Sequence, residues 1–187
     1  YCSHIKKLEA ENFYRWNLSL YRSDAGLHES TPWYATNYDD NNWQTVNMFS
    51  QSWGNNGLNP IGGSHWLRQD IEIPQSWNGK EATLRLGCIV DADSVYVNGV
   101  FVGTTSYQYP PRIYRIPAGI LKSGKNNITV RIISNGGQPG FVQEKPYKII
   151  CDNEEINLKQ KWKYRLGAPM PPAPEMMFFW KSEAKRS

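Results

Sequence analysis

The clearest pattern in the chain is the alternation of Ala82, Leu84, Leu86, Cys88 and Val90, with Thr83 and Arg85 between them. A period of two predicts a strand with one buried face. Val95 and Val97, then Val100 and Val102, form two further β-branched runs joined by Asn98-Gly99. That pair holds positive φ at both centres of a type I′ turn, so a tight hairpin is predicted there. Asp91 and Asp93 fall between strand and hairpin, where short carboxylates usually accept turn amides. The stretch 82–103 therefore predicts a three-strand antiparallel nucleus.

A second alternating run covers 65–73, with His65, Leu67, Gln69, Ile71 and Ile73 on one face and Trp66, Arg68, Asp70 and Glu72 on the other. Further strands are predicted at 43–48, 112–116, 127–134, 147–151 and 156–166. In the last, Lys159, Lys161, Lys163 and Arg165 share one face, a row that can attract an anionic ligand but more often is a solvated face that discourages edge-to-edge pairing. Before the strands, Ile5, Leu8, Phe13, Trp16 and Leu20 fall near one helical stripe, with Ser3 and Gly26 as candidate caps. Trp16, Leu18 and Leu20 also alternate, but the charged half of 3–23 has no strand period, which favours a helix. Loops 53–64, 104–112 and 135–146 separate the strands, and loops of this length tend to carry function or cover a partner. Met170-Pro171-Pro172-Ala173-Pro174 reads as an extended exit arm. The apolar cluster Met176–Trp180 behind it suggests docking on something else. Strands at short intervals predict an all-β protein, an antiparallel β-sandwich or jelly roll with one N-terminal helix and a Pro-rich C-terminal arm.

Composition narrows the function classes. Net charge is +4, of which the last seven residues supply two through Lys181, Lys185 and Arg186 against Glu183. The near balance of the remainder gives little support to a nucleic-acid or membrane-surface role. No apolar run approaches the roughly 20 residues that span a bilayer. Tyr1-Cys2-Ser3-His4 does not begin a basic-then-apolar leader, so any signal is expected to have been trimmed or to lie upstream. Cys2, Cys88 and Cys151 are too few and too far apart for a disulfide framework or a zinc site. Cys88 reads as a small buried hydrophobe, and a Cys88–Cys151 bridge stays open.

Little in the chain points to bond cleavage. Ser64 and His65 are adjacent, but neighbours on a strand face opposite ways and cannot form a nucleophile–base pair. His4, His28 and His65 have no second ligand at metal spacing, so no metal or cofactor is expected. The carboxylate pairs Asp39/Asp40, Asp91/Asp93 and Glu154/Glu155 all read as turn residues. Aromatics offer more: Trp33, Trp53, Trp66, Tyr107 and Tyr109 lie in or near loops, where flat rings can stack on sugar faces or simply fill the core. Trp53 shares its loop with Asn56, while Arg68 and Arg112 are candidates for hydrogen bonds to hydroxyls or a carboxylate.

Several motifs in 66–140 carry a family likeness: Trp66-Leu67-Arg68, Trp77-x-Gly79-Lys80, Leu86-Gly87 before Asp91-x-Asp93, Val97-Asn98-Gly99, Arg112-Ile113-Tyr114 and Gly124-Lys125-Asn126. Together they resemble the galactose-binding-like β-sandwich inserted in bacterial sialate O-acetylesterases. They are shared more loosely with the sugar-binding domain of β-galactosidase-like glycoside hydrolases. Trp43, Trp162-Lys163-Tyr164-Arg165 and Met170-Pro171 also look like that insert and its boundaries. The resemblance implies three segments: 1–30 as helix and linker to a parent enzyme, 31–168 as the sandwich and 169–187 as the exit arm. It implies a parent that is a periplasmic or extracellular carbohydrate O-acetylesterase, whose split SGNH-hydrolase domain is this domain's partner, with an acetylated glycan as a second one. The family's Gly-Gln-Ser-like block and its His preceded by Asp are missing, so no catalytic residue carries over.

Overall fold

The computed structural model describes residues 2–50 and 52–174. The chain opens with helix α1 (Cys2–Ser23) and a single turn, α2 (Ala25–His28). Twelve strands follow among the described residues: β1 (Gln44–Val46), β2 (Gly62–Ile73), β3 (Ala82–Leu86), β4 (Ile89–Val90), β5 (Ala92–Val97), β6 (Val100–Thr105), β7 (Ile113–Ile116), β8 (Gly124–Ser134), β9 (Gly140–Phe141), β10 (Tyr147–Cys151), β11 (Glu154–Asn157) and β12 (Trp162–Met170). All pair antiparallel, in a six-stranded sheet of order β1-β12-β2-β8-β5-β6, a four-stranded sheet β11-β10-β3-β7 and a short β4-β9 ribbon. Leu67, Val95, Val130 and Ile132 of the larger sheet share one core with Leu84, Leu86, Ile116 and Ile149 of the smaller. The fold is thus an all-β antiparallel sandwich with one N-terminal helix.

The stretch 82–103 does not form one three-strand unit. β3 belongs to the four-stranded sheet, while the β5–β6 hairpin belongs to the other. The break lies at Gly87, which has φ +50 and packs so closely on the Tyr147 ring that a Cβ would overlap it. Beyond the break the alternation shifts by one residue. Ile89 is buried, whereas Cys88, predicted to be in phase with the core, is half-buried. The hairpin itself has Asn98 and Gly99 at φ 48 and 78, as a type I′ turn requires.

The predicted single strand 156–166 is likewise two strands, β11 and β12, in different sheets. Asn157 accepts the Lys159 amide and turns the chain, so Lys159 and Lys161 lie in a connection rather than in a row. Lys163 and Arg165 do share a face, but that face is partly covered: Lys163 Nζ lies 2.8 Å from Asp40, and Arg165 sits over the Trp33 ring at 4.9 Å. β12 also runs through Pro169 to Met170, with an irregularity between Leu166 and Ala168, so the exit arm starts later than predicted. The Met176–Trp180 cluster lies outside the described residues.

A second layer covers the outer face of the six-stranded sheet, and the alternating pattern did not anticipate it. β2 is buried on both faces from Gly62 to Gln69. Trp66 packs with Trp33 and Trp43 in a separate aromatic cluster under α2 and the segment that follows it. Asp24 fastens this layer. It is fully buried, caps α2 through the Gly26 amide, accepts the Trp66 indole at 3.0 Å and pairs with Arg131 at 2.6 Å. Ser3, predicted to cap the start of α1, lies within that helix, and Gly26, predicted to cap its end, lies within α2. Of the predicted helical stripe only Trp16 and Leu20 are buried, against Ala168, while Leu8 is 46% exposed. Trp16 Nε1 also donates to the Pro171 carbonyl at 2.8 Å. Cys2, Cys88 and Cys151 are all free thiols.

Removing the Asp24 carboxylate strands Arg131 and the Trp66 indole in the interior. Breaking a buried pair from one side costs about 3–5 kcal/mol. Asp24→Ala is expected to lower the urea midpoint by the corresponding amount, and a variant as stable as the parent would contradict the fastening role.

Candidate functional site

The structure distributes the seven predicted contact residues unevenly. Trp66 and Arg112 are wholly buried, Arg68 is 3% exposed and Trp53 is 6% exposed. The three tryptophans Trp33, Trp53 and Trp66 are core side chains and are not available to stack on a sugar. Trp53 packs edge-on against His65 and Tyr164 and donates to the Asn59 carbonyl. Asn56 stitches its own loop to Asn47, accepting one amide and donating to its carbonyl. Tyr107 and Tyr109 are exposed, the latter at 72%.

Arg112 precedes β7 and makes an interior tie between the sheets. Its Nε lies 2.6 Å from Asp93 on β5, and Nη2 reaches the carbonyls of Ile89 and Asp91. The Tyr114 hydroxyl donates to the second oxygen of Asp93 at 2.5 Å. Asp93, predicted to accept turn amides, is instead a buried partner of an arginine, and Asp91 accepts the amide of the distant Asn135 rather than one of its own turn. Burial pushes the Asp93 carboxyl above its ordinary value against the opposing hydrogen bonds from Tyr114 and Arg112, and pushes the Tyr114 phenol up as well.

Ser64 and His65 face opposite sides of β2, as predicted. Ser64 Oγ is buried without a hydrogen bond among the described residues. His65 Nε2 contacts the Ile61 carbonyl at 2.9 Å and Nδ1 contacts the Tyr164 hydroxyl at 2.7 Å. A carbonyl only accepts, so Nε2 carries the proton and Nδ1 accepts from tyrosine. Burial depresses the His65 pKa and keeps the ring neutral. No group of three or more His, Cys, Asp and Glu side chains among the described residues is placed to hold a metal.

The polar feature that remains is a cleft at the end of the outer face, with a volume of about 180 Å³. It opens where β2 and β8 emerge from beneath the covering segment. Arg68 and Asp70 on β2 meet Lys125, Asn126 and Asn127 on β8, with Asn98 from the hairpin beside them. Thr36, Tyr38 and Asp40 of the covering segment form the opposite wall. Asp40, read from the sequence as a turn residue, is a nearly buried acceptor: Arg68 Nε donates to it at 2.9 Å and Lys163 at 2.8 Å. Burial alone would raise its carboxyl; the hydrogen bonds and charges of Lys163 and Arg68 outweigh this and hold it below the ordinary value. Lys125 and Asp70 form a looser pair at 3.4 Å. Of the sequence candidates, this cleft contains Arg68 alone. The signal for it was Trp66: a large aromatic on the polar face of a strand means that face has a cover.

No family model matches the chain, and no curated protein matches it. Among solved structures it is similar to part of a β-glucuronidase from Ruminococcus gnavus in complex with uronic isofagomine, at 20% identity and TM-score 0.37 over 57% of this chain and 20% of that one. It is also similar to part of the Bifidobacterium dentium β-glucuronidase complexed with coumarin-3-O-glucuronide, at 22% identity and TM-score 0.36 over 41% of this chain and 12% of that one. The chain thus spans a fifth or less of the length of these two proteins.

The neutral His65 gives a pH signature. Its folded pKa lies below the ordinary 6.5, so the unfolded chain binds more protons as pH falls through that value. Stability present above it is expected to decline between about pH 7 and about pH 5. His65→Gln should flatten that part of the profile in thermal melts recorded across the range; an unchanged slope would mean another group sets it.

Proposed function

We propose that this chain is a non-catalytic accessory β-sandwich of a carbohydrate-active enzyme, of the kind inserted in sialate O-acetylesterases. In this role it braces a split SGNH-type catalytic domain and lends loops to its surroundings. The observation that carries the reading is the hydrogen bond from Trp16 to Pro171, which sets the segment entering the sandwich beside the one leaving it. A domain inserted in a host needs its two connections close together. The motifs behind the resemblance support the same reading, because they fall on framework positions. Trp66 lies in the covered face, Asp93 and Arg112 tie the sheets, Asn98-Gly99 turns the hairpin, and Asn126 closes the turn before β8 through Lys122 and Gly124. The parent's periplasmic or extracellular location belongs to the same proposal. Among the described residues no helix is long and apolar enough to cross a membrane.

A second reading, a carbohydrate-binding module or the sugar-binding domain of a β-galactosidase-like hydrolase, is favoured by the exposed rings of Tyr107 and Tyr109. The two readings separate on the reading frame around the chain. The esterase reading expects a Gly-Gln-Ser-like block upstream and an Asp-x-x-His block downstream, and flanks without them overturn it. It also expects the isolated chain to leave p-nitrophenyl acetate unhydrolysed; turnover abolished by Ser64→Ala would contradict it.

A further inference from the structure

The floor of the cleft is a guanidinium with one nitrogen unused. Arg68 Nε donates to Asp40, and Nη1 is spent on the carbonyls of Trp33 and Ala35 and on the Thr129 hydroxyl. Nη2 has no hydrogen-bond partner among the described residues, although the side chain is only 3% exposed. Nε–H and Nη2 form one edge of the planar fork, so Nη2 lies on the side of Asp40, and Asp40 lines the cleft. Nη2 is not sealed in the interior, so an oxygen entering the cleft can accept from it.

The other free hydrogen-bonding capacity there is also mostly donor. Among the described residues Lys125 Nζ is held only by Asp70, at 3.4 Å. The Tyr38 hydroxyl is taken up by Trp43 and Arg165, outside the cleft, and its ring faces the Arg68 guanidinium at 5.4 Å. The amides of Asn98, Asn126 and Asn127 are committed to the protein. Arg68 and Lys125 balance Asp40 and Asp70 on the lining, with Lys163 behind Asp40 and Glu72 across from Lys125. A volume of about 180 Å³ is below the roughly 300–1,000 Å³ of pockets for larger ligands, so the occupant is small. A guanidinium and an ammonium that both keep donors to give suit an acceptor-rich anion.

We propose that this cleft binds a small carboxylate, with Arg68 Nη2 and Lys125 Nζ donating to its oxygens. Such a group can come from an acidic sugar or from a simple organic acid. The proposal does not depend on the parent enzyme, so its outcome and that of the flanking-sequence test are separate.

The test is an NMR titration of the whole chain with glucuronate, N-acetylneuraminate, acetate and neutral galactose. The three carboxylates are expected to shift the resonances of Arg68, Lys125 and Asn127 at millimolar concentration, and galactose is not. Tighter binding of the two sugar acids than of acetate would identify an acidic sugar as the source; equal binding would identify the carboxylate alone. Two variants at exposed positions, Lys125→Gln and Asp70→Asn, leave the buried Arg68–Asp40 pair in place. Lys125→Gln should weaken carboxylate binding about fivefold. Asp70→Asn should tighten it, because a competing negative charge is removed, whereas a site for sugar hydroxyls would lose an acceptor and weaken. Galactose binding as well as the acids, weakening by Asp70→Asn, or no response in the cleft to any carboxylate would each overturn the proposal.

Discussion

The constraint on which the structure depends is that its central strands are buried on both faces. β2 and β8 pair through eleven registered positions, from Gly63 with Ser134 to Ile73 with Gly124. Their inward side chains, such as Leu67, Val130 and Ile132, join the core between the sheets. Their outward side chains include Trp66, Arg68 and Arg131, none of which can stay in water at the depth where it lies. A second cover is therefore obligatory, and α2 with the segment to Trp43 supplies it. Because two of the covered side chains are arginines, the cover must bring carboxylates with it. Asp24 answers Arg131 and Asp40 answers Arg68. Desolvated ion pairs of this kind contribute little net stability over apolar packing, but each half is costly without the other, so they fix how the cover sits.

The cleft is what remains where that cover stops. Arg68 is the last outward side chain of β2 beneath it, and Asp70 two residues on is exposed. The polar wall and floor follow from the same arrangement, since the Asp40 that neutralises Arg68 takes its Nε and leaves Nη2 beside it. At the opposite side of the sandwich, Asp93 and Arg112 solve a different problem. They join strands of two sheets through side chains alone, because β5 and β7 share no backbone ladder.

Those features of the fold set by neighbours in the chain could be read from the sequence. The helix over 3–23, the hairpin at Asn98-Gly99 and the inward face of 65–73 all rest on short-range periodicity or turn chemistry. What could not be read depended on partners far away in the chain. Gly87 gives no sign that the strand before it and the hairpin after it belong to different sheets. Trp66 and Arg68 alternate correctly as an outward face, yet whether that face meets water is decided by residues about thirty positions earlier. The cleft was illegible for the same reason: its walls come from the covering segment, two strands and a hairpin, and only Arg68 carried a recognisable chemical cue.

The contact between Trp16 and Pro171 bears on how load passes through the molecule. A pull on the two connecting segments in opposite directions meets first at that indole and carbonyl, in shear, and not at the first rung of a strand ladder. The interior sheets are shielded from tension as long as this bond and the Trp16–Ala168 packing hold.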